Sequence, residues 1–438
     1  MILGKSLTGR YNAVLLASKK VVMKIELNAV LLHKKSRVGA NIDLWLQKQG
    51  KKGLEKALAQ PDDIINTIES AQLRGLGGSG FPTHIKWRAI AKQPNTKDKY
   101  LICNGNEDEP GTYKDRILLE ETPHQLIEGA LIAALAGGIN QIIFYINPDL
   151  SDCISAMEKS IEQWHEQTLF QQCCEVVGKK IKLQVFPSSG HYIGGEETAL
   201  IETVEGKYPF PRKKPPYPFE SGVYGCPTLI NNIETLCNVP HILKNGIEWY
   251  QNLGIGHASG TKLYSLTGDV LKPNTYELPM GTPLSTLINE YGGGMLLNKE
   301  FKAVFTGGPS NTLLTKDNFD VALDFESVKK YHSSLGTGAM IVVSEGTGIV
   351  KRVAEYVNFF AHSSCGQCPP CKTGTYYISR LLNKIDTGEG RIEDLEQLKN
   401  LCEILPNSGR CGLIDGAVKV LESSLEHFES EYTNALRS

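Results

Sequence analysis

Three cysteines crowd into seven residues, Cys365-Gly-Gln-Cys368-Pro-Pro-Cys371. Thiolates at i, i+3 and i+6 can wrap one corner of a cuboidal iron–sulfur cluster. A [4Fe–4S] cluster needs a fourth thiolate, one for each iron. Downstream, Cys411 lies in Ser-Gly-Arg-Cys-Gly-Leu, a loop where backbone can approach sulfur. Cys402 lies on the apolar stripe Leu401-Cys402-Glu403-Ile404-Leu405, where a buried cysteine is ordinary. Cys411 is therefore the preferred fourth ligand. Zinc is the rival metal. Structural zinc sites usually pair two separated C-x-x-C units or add histidines, and the second half here offers only single cysteines. The spacing favours the iron cluster. Three unliganded exposed thiols would oxidise readily.

Gly75-Leu76-Gly77-Gly78-Ser79-Gly80 satisfies G-x-G-x-x-G. That fingerprint should follow a strand, but a helical pattern precedes it, so a standard Rossmann phosphate loop is not supported. Glycine density still lets backbone N–H groups approach a phosphate or a flat ring. Phe81 offers a stacking face and Lys86 a cation; the bland alternative is a plain interdomain loop. Gly194-Gly195-Glu196-Glu197-Thr198 sets two acids before an apolar helix pattern, with Tyr192 three residues before Gly195. Acids at a helix start are as readily capping groups. Asn231, Asn232 and Thr235 could read a heteroaromatic edge, although Asn pairs in loops commonly form turns. Arg212, Lys213 and Lys214 beside Tyr217 suit phosphates and an adenine, or a solvated charge run. Neither G-x-S-x-G nor H-E-x-x-H occurs, so familiar hydrolase chemistry finds no support.

The elements that must position these residues follow from periodicity. Apolar residues at helical spacing predict helices over 40–73, restarted at Pro61. A buried strand over 100–103 feeds a polar loop at 104–111. Then come a long helix over 117–138, a strand over 141–146, a helix over 151–167 and a strand over 181–185. Strands alternating with helices argue for a parallel α/β sheet, which binds ligands at the carboxyl ends of its strands. Loops 104–111 and 188–198 both follow strands and should converge on one crevice. The Pro-rich stretch 209–218 is extended. Strand-like runs at 262–267 and 303–306 mark a small β-rich domain, and 350–437 is helical again, with Leu381, Leu382, Leu395, Leu398, Leu401 and Leu405 as core. The expected divisions are a basic arm (1–40), an α/β domain (41–255), a β-rich domain (256–345) and a helical cluster domain (346–438).

Composition bounds the rest. The chain of 438 residues suits about three domains. Lys plus Arg number 46 and Asp plus Glu 48, which gives no global case for nucleic-acid binding. The apolar run 129–139 has about half the ~20 residues a membrane span needs, so it reads as a buried helix. Eleven cysteines, an odd number, suit a reducing compartment and a cluster better than a disulfide scaffold. Residues 1–40 carry six Lys and two Arg against one Glu. They lack the apolar and Ser-rich character of targeting peptides, so a basic arm is expected, with Met23 as an alternative start.

Together these segments carry a family resemblance. Residues 74–87 (RGLGGSGFPTHIKW), 104–116 (NGNEDEPGTYKDR), 192–206 (YIGGEETALIETVEG), 212–218 (RKKPPYP), 230–240 (INNIETLCNVP) and 364–374 (SCGQCPPCKTG) occur in that order, followed by Cys411. The set resembles the NADH-binding flavoprotein subunit of respiratory complex I and, equally, the diaphorase subunits of NAD-linked hydrogenases and formate dehydrogenases. The resemblance implies a Rossmann-like FMN and NADH domain, a ubiquitin-like β-grasp domain, and a C-terminal helical bundle with one [4Fe–4S] cluster. By motif position, Gly75, Gly77, Gly78, Gly80, Lys86, Asn104, Asn106, Glu107, Gly195, Asn231, Asn232 and Thr235 would hold FMN, with Tyr192 a further cofactor-binding residue. Phe81, Glu196, Glu197, Lys214 and Tyr217 would face NADH, and Cys365, Cys368, Cys371 and Cys411 would bind the cluster. The implied partners are a thioredoxin-like [2Fe–2S] subunit and a larger iron–sulfur subunit. The implied location is cytoplasmic, or peripheral on the cytoplasmic or matrix side of an energy-coupling membrane, without direct insertion.

The chain departs from the pattern. Leu76 stands where Arg is usual, and Asn104-Gly105-Asn106-Glu107 where Asn-Ala-Asp-Glu is usual. Tyr217 replaces Phe, Lys372 replaces Arg, and Asn311 falls where Gly is usual. A flavin-less iron–sulfur scaffold is thus the competing class. In the redox reading, NADH gives two electrons as hydride and a cluster accepts one, so a flavin must lie between them. The nicotinamide would stack on the flavin with reacting atoms about 3–3.5 Å apart, and no side-chain general base is required.

Overall fold

The computed structural model describes residues 30–48 and 50–437. Four strands, β1 (Tyr100–Gly105), β2 (Gln141–Ile146), β3 (Lys182–Pro187) and β4 (Thr228–Asn232), form a parallel sheet in the order β3-β2-β1-β4. Continuous apolar runs such as Leu101-Ile102-Cys103 are buried on both faces, as a helix-covered parallel sheet requires. Helices Pro123–Gly137 and Ile233–Asn245 pack against one another over one face. They can do so because Gly129 has no Cβ; one built there would lie 2.1 Å from the Leu236 carbonyl. The 129–139 run is therefore buried helix. Among the described residues, no helix is long and apolar enough to cross a membrane.

Several expected elements are divided differently. The helix over 117–138 is two helices, Asp115–Glu121 and Pro123–Gly137, because Pro123 cannot donate within a continuous helix and instead opens the second one. The 151–167 helix stops at His165, and another runs over Thr168–Val177. The 40–73 stretch holds three short helices, Ile42–Gln47, Lys52–Ala59 and Ile64–Ser70. Strand β4 has no counterpart among the expected strands, since its polar Asn231-Asn232 end hides a buried strand. The last residues of the expected arm are described: Val30 and Leu31 are buried, and the N–H groups of Val30, Leu31 and Leu32 donate to the Glu277 carboxylate. The rest of the arm, and Met23, lie outside the described residues.

A second sheet has the order β6-β5-β9-β7-β8, from β5 (Thr261–Gly268), β6 (Asn274–Pro279), β7 (Phe301–Thr306), β8 (Leu314–Thr315) and β9 (Ala339–Ser344). Only β5 and β9 pair in parallel. Four helices follow: Ile349–Ser363, Pro369–Asp386, Ile392–Ile404 and Leu413–Asn434. Leu381, Leu382, Leu395, Leu398 and Leu405 are buried among them, with Leu401 packed at the margin.

Candidate functional site

On the parallel sheet, β1 lies between β2 and β4, so the strand order reverses direction there and leaves a crevice at their carboxyl ends. A cavity of about 690 Å³ occupies it. Of the expected residues, Gly77, Asn104, Asn106, Glu107, Tyr192, Gly195, Glu196, Asn232 and Cys411 line this cavity. The two loops do converge. Asn104 Nδ2 donates to the Gly195 carbonyl at 2.9 Å, and Asn106 Nδ2 to the His191 carbonyl at 3.2 Å.

The glycine loop folds back on itself. Gly75 N donates to the Phe81 carbonyl (2.8 Å) and Gly80 N to the Gly75 carbonyl (3.2 Å). Helix Ile64–Ser70 precedes it and helix Thr83–Ala91 follows, so the loop joins two helices, in keeping with the helical pattern before it. A Cβ on Gly77 would fall 2.7 Å from Asn232 Cβ, so only glycine gives this close approach to β4. Gly78 and Gly80 hold φ of 142° and 61°. Thr235 and Asn231 stand behind the cavity: Thr235 Oγ1 accepts from Leu76 N (2.8 Å), and Asn231 Oδ1 accepts from Trp87 Nε1 (2.9 Å). Leu76, where the resemblance expects arginine, is fully buried.

The acids of the 104–111 loop are tied inward. The Glu107 carboxylate accepts from Asp115 N and from Arg116 Nε (2.6 Å), and burial pushes it up to about 7. Asp108 is pushed up to about 6 by burial. Beneath them, Lys114 pairs with Asp115 (2.8 Å) and Glu234 (3.0 Å) and donates to Asn232 Oδ1 (2.9 Å). Lys262 shares the same Glu234 oxygen at 2.6 Å. Burial pushes Lys262 down to about 8 against the pull of Glu234. Burial acts the same way on Lys114, but Asp115 and Glu234 outweigh it and hold that ammonium above its ordinary value. Sequence reasoning singles out none of these four residues. Lys114, Asp115 and Glu234 are charges inside motifs noted for other residues, and Lys262 only opens the strand-like run 262–267.

Glu196 and Glu197 have separate tasks. Glu196 accepts from Thr198 N and Ala199 N, closing the first turn of helix Ala199–Val204. Glu197 lies between Lys86 (2.8 Å) and Lys214. Burial opposes its charge, but the two lysines hold its carboxyl below the ordinary value. Lys86 lies 6.0 Å from the Phe81 ring centroid. Phe81 and Tyr217 are exposed, and Tyr217 stacks on Phe219 at 5.6 Å.

Cys365, Cys368, Cys371 and Cys411 line a single small pocket with Ile193, Gly409 and Arg410. Arg410 N donates toward Cys368 Sγ (3.4 Å), the backbone approach a thiolate-held cluster uses. Cys402 is buried on helix Ile392–Ile404 and does not line this pocket. Among the described residues, no three His, Cys, Asp or Glu groups are close enough to hold one metal ion. Four cysteines lining one small pocket, with a backbone N–H directed at one sulfur, suit a cuboidal cluster. Burial pushes the Cys411 thiol up to about 12. The upper cavity fits a flavin by its own observation: Asn106 Oδ1 is buried there without a hydrogen-bond partner, beside the glycine cradle.

A parallel sheet with a ligand crevice at its strand ends, joined to a helical bundle with a four-cysteine pocket, defines a flavin- and cluster-carrying redox protein. Residues 68–241 match the Nuo51 FMN-binding domain, 351–435 the NADH-ubiquinone oxidoreductase-F iron-sulfur binding region, and 263–310 the SLBB domain. The chain is 42% identical to an NADH-quinone oxidoreductase subunit of Rhizobium meliloti (strain 1021), over 87% of this chain and 91% of that protein. It is 39% identical to an NADH-quinone oxidoreductase subunit of Escherichia coli (strain K12), over 90% of each. A solved NAD+-reducing [NiFe]-hydrogenase in the H2-reduced state matches with a TM-score of 0.81 and 34% identity, covering 90% of this chain. This chain spans about two thirds (66%) of that hydrogenase chain. The chain belongs to the family of NADH-quinone oxidoreductase subunits that carry the Nuo51 FMN-binding domain, and the resemblance read from the ordered motifs holds.

Proposed function

We propose that this chain is the NADH-oxidising flavoprotein subunit of a respiratory NADH:quinone oxidoreductase. Its cofactors are FMN and one [4Fe–4S] cluster, and NADH is its substrate. One observation carries the reading: a single cavity is lined both by Gly77 and Asn232 and by Cys411. Cys411 also lines the cysteine pocket, so the residues that would hold the flavin and those that would hold the cluster adjoin.

FMN, when bound, accepts the hydride's electron pair and releases electrons singly, which the cluster requires. The protein supplies position. The glycine loop gives a flat, close wall, and Thr235 and Asn231 fix that wall from behind. Asn104 and Asn106 join the two loops that shape the crevice, and Lys114 anchors Asn232 from below. Phe81, Glu196, Glu197, Lys214 and Tyr217 form the NADH-facing set, where exposed rings stack and the charge at Glu197, paired with Lys86 and Lys214, sets nucleotide affinity. Cys365, Cys368, Cys371 and Cys411 bind the cluster.

The second sheet is read as a β-grasp domain, which its mixed strand order and the SLBB match support. The divisions at 41–255, 256–345 and 346–438 follow from it. Electrons leave to iron–sulfur partner subunits, namely a thioredoxin-like [2Fe–2S] subunit and a larger iron–sulfur subunit. The complex is placed peripherally, on the cytoplasmic or matrix side of an energy-coupling membrane. A diaphorase subunit of a soluble hydrogenase is the second reading, favoured by the hydrogenase likeness; neighbouring genes separate the two. The test is the absorption spectrum of anaerobically purified protein before and after NADH. Flavin and iron–sulfur bands that bleach on adding NADH are expected. Cluster absorbance without flavin, unresponsive to NADH after FMN is supplied, would leave the scaffold reading standing.

A further inference from the structure

The corner of the cavity formed by Asn106 and Asp108 presents acceptors and almost no donors. Asn106 Nδ2 is committed to Asp108 Oδ2 (2.6 Å) and the His191 carbonyl. Asn104 Nδ2 is committed to the Gly195 carbonyl. Asn147 Nδ2 is committed to Asp108 Oδ1 and the Asn106 carbonyl. What remains facing the cavity is Asn106 Oδ1, buried and without a partner, and the unused lone pairs of the Asp108 carboxylate. An ionised carboxyl has about four lone-pair sites, and only two N–H groups reach this one.

Such a corner rejects a phosphate or a flavin carbonyl, which bring only acceptors. It suits a hydroxyl, which donates. We propose that Asp108 is a further ligand-binding residue of the cavity, accepting, together with Asn106 Oδ1, hydrogen bonds from sugar hydroxyls of the flavin or the nucleotide. This rests on the reading that the cavity takes FMN and NADH. The amide at 106 and the acid at 108 belong together. With Asn106 Nδ2 only 2.6 Å from Asp108 Oδ2, an acid at 106 would set two carboxylates side by side, and both could not ionise. This chain, which lacks the acid its resemblance expects at 106, therefore carries the corner's charge at 108.

The test uses the full chain stripped of flavin and titrated with FMN and, separately, with lumiflavin, which has the ring but no ribityl hydroxyls. NADH affinity is measured on the reloaded protein. Asp108→Asn keeps the shape and replaces an acceptor with a donor; Asp108→Ser is the second variant in case the first does not fold. If the hydroxyl is ribityl, FMN binds about tenfold or more weakly to the variant, while lumiflavin binds as to the parent. If it is a nucleotide ribose, FMN affinity holds and NADH affinity falls by a similar factor. Unchanged affinity for both overturns the proposal. So does an equal fall for FMN and lumiflavin, or a lowered apo-protein unfolding midpoint with every affinity reduced alike, which would mark a structural role. Failure of the parent itself to take up FMN would instead overturn the flavoprotein reading.

Discussion

Lys262 Nζ lies 2.6 Å from Glu234 Oε2, with both side chains fully buried. Lys262 is on β5 of the second sheet and Glu234 is on the helix that follows β4 of the first. Leu263 N donates to the other Glu234 oxygen at 2.8 Å. One carboxylate thus clasps the second sheet to the first and, through Lys114, supports Asn232 on the cavity wall. Glu234→Ala leaves two ammonium groups sharing one remaining acid. Removing one partner of a buried pair costs about 3–5 kcal/mol. Urea unfolding is expected to show a loss of that order together with weaker FMN retention. A loss under about 1 kcal/mol, as for an exposed pair, would mean the clasp contributes little.

Glu128 sets a pH dependence far from the crevice. Burial pushes its carboxyl up to about 8, although Leu54 N donates to it. The unfolded chain releases this proton near 4.5, so between those values the folded state binds more protons. Stability must then fall as pH rises from about 5 to 8. Glu128→Gln keeps the acceptor for Leu54 N and removes the titration. It is expected to stabilise the protein at pH 8 by on the order of 2–4 kcal/mol and to flatten the slope. Unfolding curves at pH 6 and pH 8 decide it: parallel pH dependence in both proteins would dismiss the assignment.

The two candidate fourth cysteines separate by iron content. Cys411→Ser should purify with clearly less iron and a diminished iron–sulfur spectrum. Cys402→Ser should keep both, losing only stability, because Cys402 is buried in helix packing. Full iron occupancy in the Cys411 variant would remove it from the ligand set.

Glu197 balances Lys86 and Lys214, so removing its charge leaves two cations facing one another. Glu197→Gln is expected to change the KM for NADH about tenfold or more, since a charge-assisted contact is worth roughly 1.5–3 kcal/mol, with little effect on kcat. Steady-state oxidation of NADH with an artificial acceptor measures both. Parent-like kinetics would take Glu197 out of the nucleotide-facing set.

Gly77→Ala brings a methyl to 2.7 Å from Asn232 Cβ, so the loop must move off β4. Loss of bound flavin on gel filtration is expected, with the cluster retained. Flavin retained at parent levels would show that the close approach is dispensable.

The sequence by itself determined the chemistry. Cysteine spacing at 365–371 needs no tertiary knowledge, because three ligands within seven residues are close in any fold. Alternating apolar strands and helices likewise implied the parallel sheet and the convergence of its two polar loops, since ligand crevices follow from strand direction. Local signals failed where polar residues end a buried strand, as at β4, and where a proline divides an otherwise continuous helical pattern, as at Pro123. Tertiary structure alone decided which residues of a motif face the cavity and which support it. Asn231 and Asn232 are neighbours in sequence, yet one holds Trp87 and the other lines the cavity, because successive strand side chains point to opposite faces. Likewise the Lys114-Asp115 pair, Glu234 and Lys262 come from three distant segments. Their mutual neutralisation depends on the Glu234 contacts of 3.0 Å to Lys114 and 2.6 Å to Lys262, which only the packed sheets create. A buried charge is tolerated only beside its partner, and sequence order does not record which partner that is.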